Sequence, residues 1–234
     1  MNLNKLKWIW IVITGMIILP LIILAIYIFR PWNRICRKTC RVLFWLHRIN
    51  VEKIGEFDPS ADILILNHQS MVDIIYLEAF HPKDICWVAK KELGEMFLYK
   101  YALKGPRMIL VDRESKKSLV LLLKEAKQKI DEGRVLSIFP EGTRSKGEEE
   151  FLEFKNGAKI LIEKFKLKVQ PIVLVNTRKL FDHSKYEVIS NHAKAICMEA
   201  YYPNLEDKNW YENLKNNMFS TYKKHYEELN GKLK

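Results

Sequence analysis

The chain has 234 residues, enough for one domain with a full core and an appended segment but short for two independent catalytic domains, so a single active site is expected. Lys and Arg outnumber Asp and Glu by 39 to 28, a net charge of +11, which suits an anionic partner such as a phospholipid surface, a phosphorylated substrate or nucleic acid. The cysteines, Cys36, Cys40, Cys86 and Cys197, have neither zinc-ligand spacing nor the density of a disulfide scaffold and read as reduced.

From Trp8 to Phe29 no residue is charged, a run of 22 that makes about 33 Å of helix at ~1.5 Å per residue, enough to cross a bilayer core. No small-x-small cleavage site follows, so the segment is expected to stay attached rather than to leave as a signal peptide. Arg30, Arg34, Arg37, Lys38 and Arg41 outweigh Lys5 and Lys7, which puts the downstream chain on the cytoplasmic side of the inner membrane. Pro20 leaves two forms open, a kinked spanning helix and a hairpin dipping into one leaflet. Residues 32–48 mix Trp32, Ile35, Val42, Phe44, Trp45 and Leu46 with basic residues, as a helix at the membrane interface does. The chain therefore divides into a membrane-embedding helical segment, residues 1–49, and a domain of residues 50–234.

Beyond Asn50, short apolar runs alternate with amphipathic stretches, an α/β pattern predicting a sheet flanked by helices. Strands are predicted at Ile63–Leu66, Ile85–Val88, Ile109–Val111, Val135–Phe139, Val169–Val175 and Ala195–Ala200. Helices are predicted at Met71–Ala79, Leu93–Leu103, Lys116–Glu132, Phe154–Phe165 and Trp210–Leu229.

Three polar segments each follow a predicted strand directly. In the first, Asn67 to Asp73, residues five apart cannot share a helical face, so His68 must sit in the turn ahead of the helix, from where its ring can reach back to Asp73. By themselves a His and an Asp at this spacing are a weak signal, more often the mark of a satisfied structural histidine. Phe139-Pro140-Glu141-Gly142-Thr143-Arg144-Ser145 reads on its own as a turn with solvated charges. Asp112-Arg113 closes a short strand, where an Arg is at home on the surface. In a parallel sheet all three gather on one edge, giving a base, a carboxylate and at least two guanidinium groups able to hold a phosphate.

Asn67 to Asp73 resembles the HxxxxD box of the glycerolipid acyltransferases, and Phe139 to Ser145 resembles their FPEGTRS box, in the same order. Ala89-Lys90-Lys91-Glu92-Leu93, Val111-Asp112-Arg113, Phe154-Lys155-Asn156-Gly157-Ala158 and Val169-Gln170-Pro171-Ile172 resemble further family stretches, so the likeness spans about residues 50–176. Gly105-Pro106-Arg107-Met108 departs from the family pattern, and Gly105 is given no role. In length and N-terminal segment the chain is most similar to the short bacterial 1-acyl-sn-glycerol-3-phosphate acyltransferases. The resemblance implies transfer of an acyl group from acyl-CoA or acyl-carrier protein to the sn-2 hydroxyl of lysophosphatidic acid, yielding phosphatidic acid for phospholipid biosynthesis, with residues 50–234 as the catalytic domain. It implies His68 as base and Asp73 as its partner, with Lys90, Arg113, Glu141, Gly142 and Arg144 binding the acceptor. Lys155 is equally a site or a surface lysine. No cofactor is expected, and the other histidines lack ligand-like spacing, so no metal is expected either. The positive charge then fits membrane phospholipids and acidic substrates, with no nucleic-acid partner. Two alternatives stay open: the same chemistry on another lyso-lipid or glycerol 3-phosphate, and a membrane-tethered basic binding protein.

Overall fold

The computed structural model describes residues 2–112, 116–147, 151–182 and 184–231. After α1 (Leu3–Ile28), a 3-10 turn (Arg30–Trp32), α2 (Asn33–Lys38) and α3 (Arg41–Leu46) come β1 (Asn50–Ile54), β2 (Ile63–Leu66), α4 (Met71–Phe80) and β3 (Ile85–Lys90). A 3-10 turn (Lys91–Gly94), α5 (Phe97–Lys104), β4 (Ile109–Val111), α6 (Lys116–Asp131) and β5 (Val135–Ile138) follow. The chain continues with α7 (Asn156–Phe165), β6 (Val169–Val175), α8 (Thr177–Leu180), β7 (His192–Cys197) and α9 (Trp210–Asn230).

The seven strands form one sheet in the order β1-β7-β6-β2-β5-β3-β4. Strands β6, β2, β5, β3 and β4 are mutually parallel, whereas β7 runs antiparallel to β6 and carries β1 parallel to itself, so the sheet is mixed. Every residue of β2, β5 and β6 is buried, which is why these runs are apolar almost throughout rather than alternating. Right-handed crossovers put α4 and α5 on one face and α6 and α7 on the other. Helices α1, α2 and α3 complete the first face, and α9 lies beside α7 on the second, where Trp210 Nε1 donates to Glu163 at 3.0 Å.

The N-terminal segment is not one interfacial helix after Trp32 but two short ones, locked to the domain by ion pairs. Arg37, on α2, donates to Glu78 at 2.7 Å and to Asp84, while Arg41 donates to the Ala79 carbonyl at 2.6 Å. Helix α1 itself lies against the domain along its length. Trp8 stacks on Phe181 at 5.8 Å, Thr14 Oγ1 lies 2.6 Å from His47 Nε2, Ile22 and Ile26 enter the core, and Tyr27 meets Tyr101 edge-on at 5.6 Å. Its outward face, Leu6, Trp10, Ile13, Ile17, Leu21, Leu24 and Ile28, repeats every three or four residues and is exposed. Burial of His47 pushes its imidazole below the ordinary histidine value, favouring the neutral ring at this contact.

Candidate active site

The carboxyl ends of the five parallel strands share one edge, and the polar segments follow them there. After Leu66 the ladder between β2 and β6 is continued by a side chain. Asn67 donates to the Leu174 carbonyl at 2.8 Å and accepts from the Leu174 N–H at 2.7 Å. The main chain is thereby free to turn away from β6 at His68.

His68 sits in that turn, ahead of α4. Ser70 is the N-cap, its hydroxyl accepting from the Val72 N–H at 3.0 Å. Asp73, in the first helical turn and wholly buried, turns back. Its Oδ2 lies 2.8 Å from His68 Nδ1 and also accepts the N–H groups of Gln69 at 2.7 Å and Ser70 at 2.9 Å. A carboxylate on Nδ1 selects the tautomer with its proton there and leaves Nε2 to accept one.

The second segment clamps the backbone of the first. Phe139 to Gly142 make a turn closed by Gly142 N–H to the Phe139 carbonyl at 3.0 Å, with Gly142 in the left-handed region at φ 74°. Glu141, 2 % exposed, accepts the His68 N–H on Oε1 at 2.8 Å and the Leu152 N–H on Oε2 at 3.0 Å. Ser145 then donates to the His68 carbonyl from its N–H at 2.7 Å and its hydroxyl at 3.1 Å. Both main-chain groups of His68 are thus held from the Phe139–Ser145 segment. Phe139 also stacks on the imidazole at 3.9 Å and 15°, and is backed by Trp87 at 5.0 Å, whose Nε1 donates to Glu78. Burial pushes the Glu141 carboxyl up to about 7, outweighing the two N–H donors, with the Asp73 charge adding to the rise.

A cleft of about 560 Å³ opens beside Phe139. Val88, Val111, Leu119, Leu122, Ile138, Ala158 and Ile160 make its apolar wall; Asp112, Glu141, Gly142, Thr143 and Lys155 supply polar groups. Lys155 lines this cleft and is also exposed, its N–H bound to the Pro140 carbonyl at 2.8 Å. Arg144 is exposed on the same loop. Lys90 ends β3 next to the cleft residue Ala89, with Nζ 3.2 Å from Glu92. Arg113 lies outside the described residues.

Sequence reading missed the contribution of α9. Tyr222, on its buried stripe with Leu214 and Met218, accepts from Gln69 Nε2 at 3.2 Å and donates to the Gly147 carbonyl at 2.9 Å, joining the His68 turn to the end of the Arg144 loop. The signal was a tyrosine at helical spacing on an apolar stripe, a place where the hydroxyl needs a partner. Tyr222→Phe strands both partners and is expected to lower stability by about 1–3 kcal/mol, read as a fall in the thermal midpoint of the purified chain; an unchanged midpoint would show the bridge to be idle.

An imidazole with one nitrogen on a buried carboxylate and the other available can take a proton from a hydroxyl brought to it. A family model described as Acyltransferase matches residues 48–175. The 1-acyl-sn-glycerol-3-phosphate acyltransferase of Helicobacter pylori is 49% identical over 230 residues, covering 97% of each chain. The enzyme of the same description from Cocos nucifera is 34% identical over 153 residues, covering 63% of this chain and 48% of its own. Among solved structures, the 1-acyl-sn-glycerophosphate acyltransferase PlsC from Thermotoga maritima matches with a TM-score of 0.73 over 99% of this chain and 98% of its own. At 18% identity that is a likeness of fold.

Proposed function

The chain belongs to the acyltransferase family, and from that premise we propose that it moves a fatty acyl group from acyl-CoA or acyl-carrier protein to the sn-2 hydroxyl of 1-acyl-sn-glycerol 3-phosphate, making phosphatidic acid. The names of the relatives support the acceptor, and one observation carries the chemistry: His68 is fixed at its Nδ1 by Asp73 and at both main-chain groups by Glu141 and Ser145. In this reading Nε2 removes the proton of the acceptor hydroxyl as its oxygen attacks the thioester carbonyl. Asp73 stabilises the imidazolium that forms, and the collapsing tetrahedral intermediate expels the thiolate, which takes that proton. The thioester carries its own leaving group, so the step uses neither a covalent enzyme intermediate nor a cofactor.

Glu141 acts as a positioning residue, since each of its oxygens already accepts a main-chain N–H. Gly142 supplies the turn that lets Arg144 face the acceptor phosphate, with Arg113, Lys90 and Lys155 as further cations. The apolar cleft beside Phe139 suits an acyl chain. Helix α1 packs on the domain from Trp8 to Tyr27, a length of about 30 Å. A helix so engaged would draw the charged domain in if it crossed a bilayer, which supports the reading that α1 lies in one leaflet with its exposed stripe toward lipid. In this reading the domain sits at the cytoplasmic face of the inner membrane, the side on which both thioester donors occur.

The test is thiol release from palmitoyl-CoA and from palmitoyl-acyl-carrier protein, with lysophosphatidic acid, glycerol 3-phosphate and other lyso-lipids as acceptors. Release that depends on lysophosphatidic acid is expected; release with none of the acceptors would overturn the reading in favour of a lipid-binding protein. Arg144→Ala removes a charge-assisted contact to phosphate, an interaction of about 1.5–3 kcal/mol. It is expected to raise KM for the acceptor roughly 10- to 100-fold with little change in KM for the thioester. An equal effect on both substrates would place Arg144 elsewhere.

A further inference from the structure

We propose that α5, with the Met96 that precedes it, is a second membrane-docking element, in which Met96, Phe97, Leu98 and Tyr101 enter the headgroup and upper acyl zone of an anionic phospholipid surface beside the carboxyl end of α1. The inference extends the reading that α1 lies in one leaflet, and rests on it. None of the residues of α5 is buried, and Phe97 is 80% and Met96 52% exposed. An eight-residue helix with its largest apolar groups outward is unfavourable in water unless something covers them.

The face is packed against the domain at both ends rather than a loose loop turned out. A Cβ on Gly94, just before α5, would come within 2.5 Å of Leu110 Cδ1, and one on Gly105, just after it, within 3.0 Å of Ile26 Cγ2. The helix is thus pinned to β4 at one end and to α1 at the other. It is also continuous with the apolar surface of α1, because Phe97 meets Tyr101 edge-on at 6.3 Å and Tyr101 meets Tyr27 edge-on at 5.6 Å.

Charge selects the occupant. Arg30 lies over the Tyr27 ring at 4.7 Å and Lys100 beside the Tyr101 ring at 5.9 Å, with Lys91 and Lys104 exposed nearby. Glu92 is paired with Lys90, which leaves Glu95 as the acidic residue next to Met96. Aromatic rings ringed by cations whose apolar stems can lie along lipid while their heads reach phosphate form an interfacial surface. Docking there brings the end of β3, and with it the edge that carries His68, down to where a lysophospholipid headgroup sits.

The test is hydrogen exchange on the full-length chain, in detergent and then in vesicles of phosphatidylcholine and phosphatidylglycerol at 7:3. Vesicles are expected to slow exchange at residues 97–104 as well as 3–28, by roughly tenfold for a buried aromatic anchor. Phe97→Asp should abolish the slowing at 97–104 and leave that at 3–28, while Phe97→Trp keeps both. Slowing at 3–28 alone would overturn the α5 proposal and spare the reading of α1; slowing at neither would overturn both. Slowing at 97–104 in detergent that grows with protein concentration would assign the face to a second copy of the chain and also overturn the proposal.

Discussion

Replacement of His68 by Ala is expected to lower kcat by about 10²- to 10⁴-fold, the contribution of a positioned general base, with KM for both substrates little changed. The substitution is clean because the groups that place residue 68 are main-chain groups. Its N–H on Glu141, and its carbonyl under Ser145, do not depend on the imidazole. Asp73 keeps two of its three donors, the N–H groups of Gln69 and Ser70, so the start of α4 should hold. Asp73→Asn should also cost activity, through loss of the charge that supports the imidazolium. The double variant should be no worse than His68→Ala, since the pair acts as one unit. Steady-state thiol release on the three variants decides it. A kcat for His68→Ala within tenfold of wild type, or losses that multiply in the double variant, would remove His68 from the role of base.

How much of this was legible in the sequence depends on how local the cause is. Ile63–Leu66 and Val169–Val175 were predicted with the bounds they have, because a strand buried on both faces is an apolar run that nothing else explains. Asn50–Ile54 was missed: it is an edge strand whose side chains are mostly exposed, so it carries no pattern to read. The helix predicted over Leu93–Leu103 is instead a 3-10 turn and a later α5, because Gly94 packs against Leu110 and the chain must bend there. Strand direction is set by partners, and the antiparallel β7 was not foreseen. At the site, His68 and Asp73 are five residues apart and their pairing could be argued from helix geometry. Glu141 reaches His68 across 73 residues, and Tyr222 reaches Gln69 across 153. Sequence placed Glu141 in the site as an acceptor ligand, and only the folded chain reveals both its oxygens occupied by main-chain donors.

Glu141 is expected to make stability and activity move in opposite directions with pH. Its carboxyl titrates near 7 in the folded chain, against an ordinary 4.5, so between these values the native state holds a proton that the unfolded chain has released. The contribution of this group to stability is therefore full below about 4.5 and is lost as pH rises through about 7, roughly 3 kcal/mol in all. Glu141→Gln removes the titration. It also turns an amide NH₂ toward one of the two N–H donors, a cost of about 1–3 kcal/mol that does not vary with pH. The thermal midpoint of wild type relative to Glu141→Gln should accordingly fall between pH 5 and pH 8, by roughly 5–10 °C at 2–4 °C per kcal/mol for a chain of this size. A midpoint difference that stays constant would refute the raised titration. Activity should run the other way. A protonated Glu141 presents its own O–H to a main-chain N–H and loosens either His68 or Leu152, so kcat in wild type should fall on acidification through this ionisation. In Glu141→Gln, whose maximal rate should already be lower, this ionisation should be missing from the acid limb. The buried carboxylate is thus less stable in the ionised form that holds His68 best, a conflict expected where a side chain is kept for the position it imposes rather than for the stability it adds.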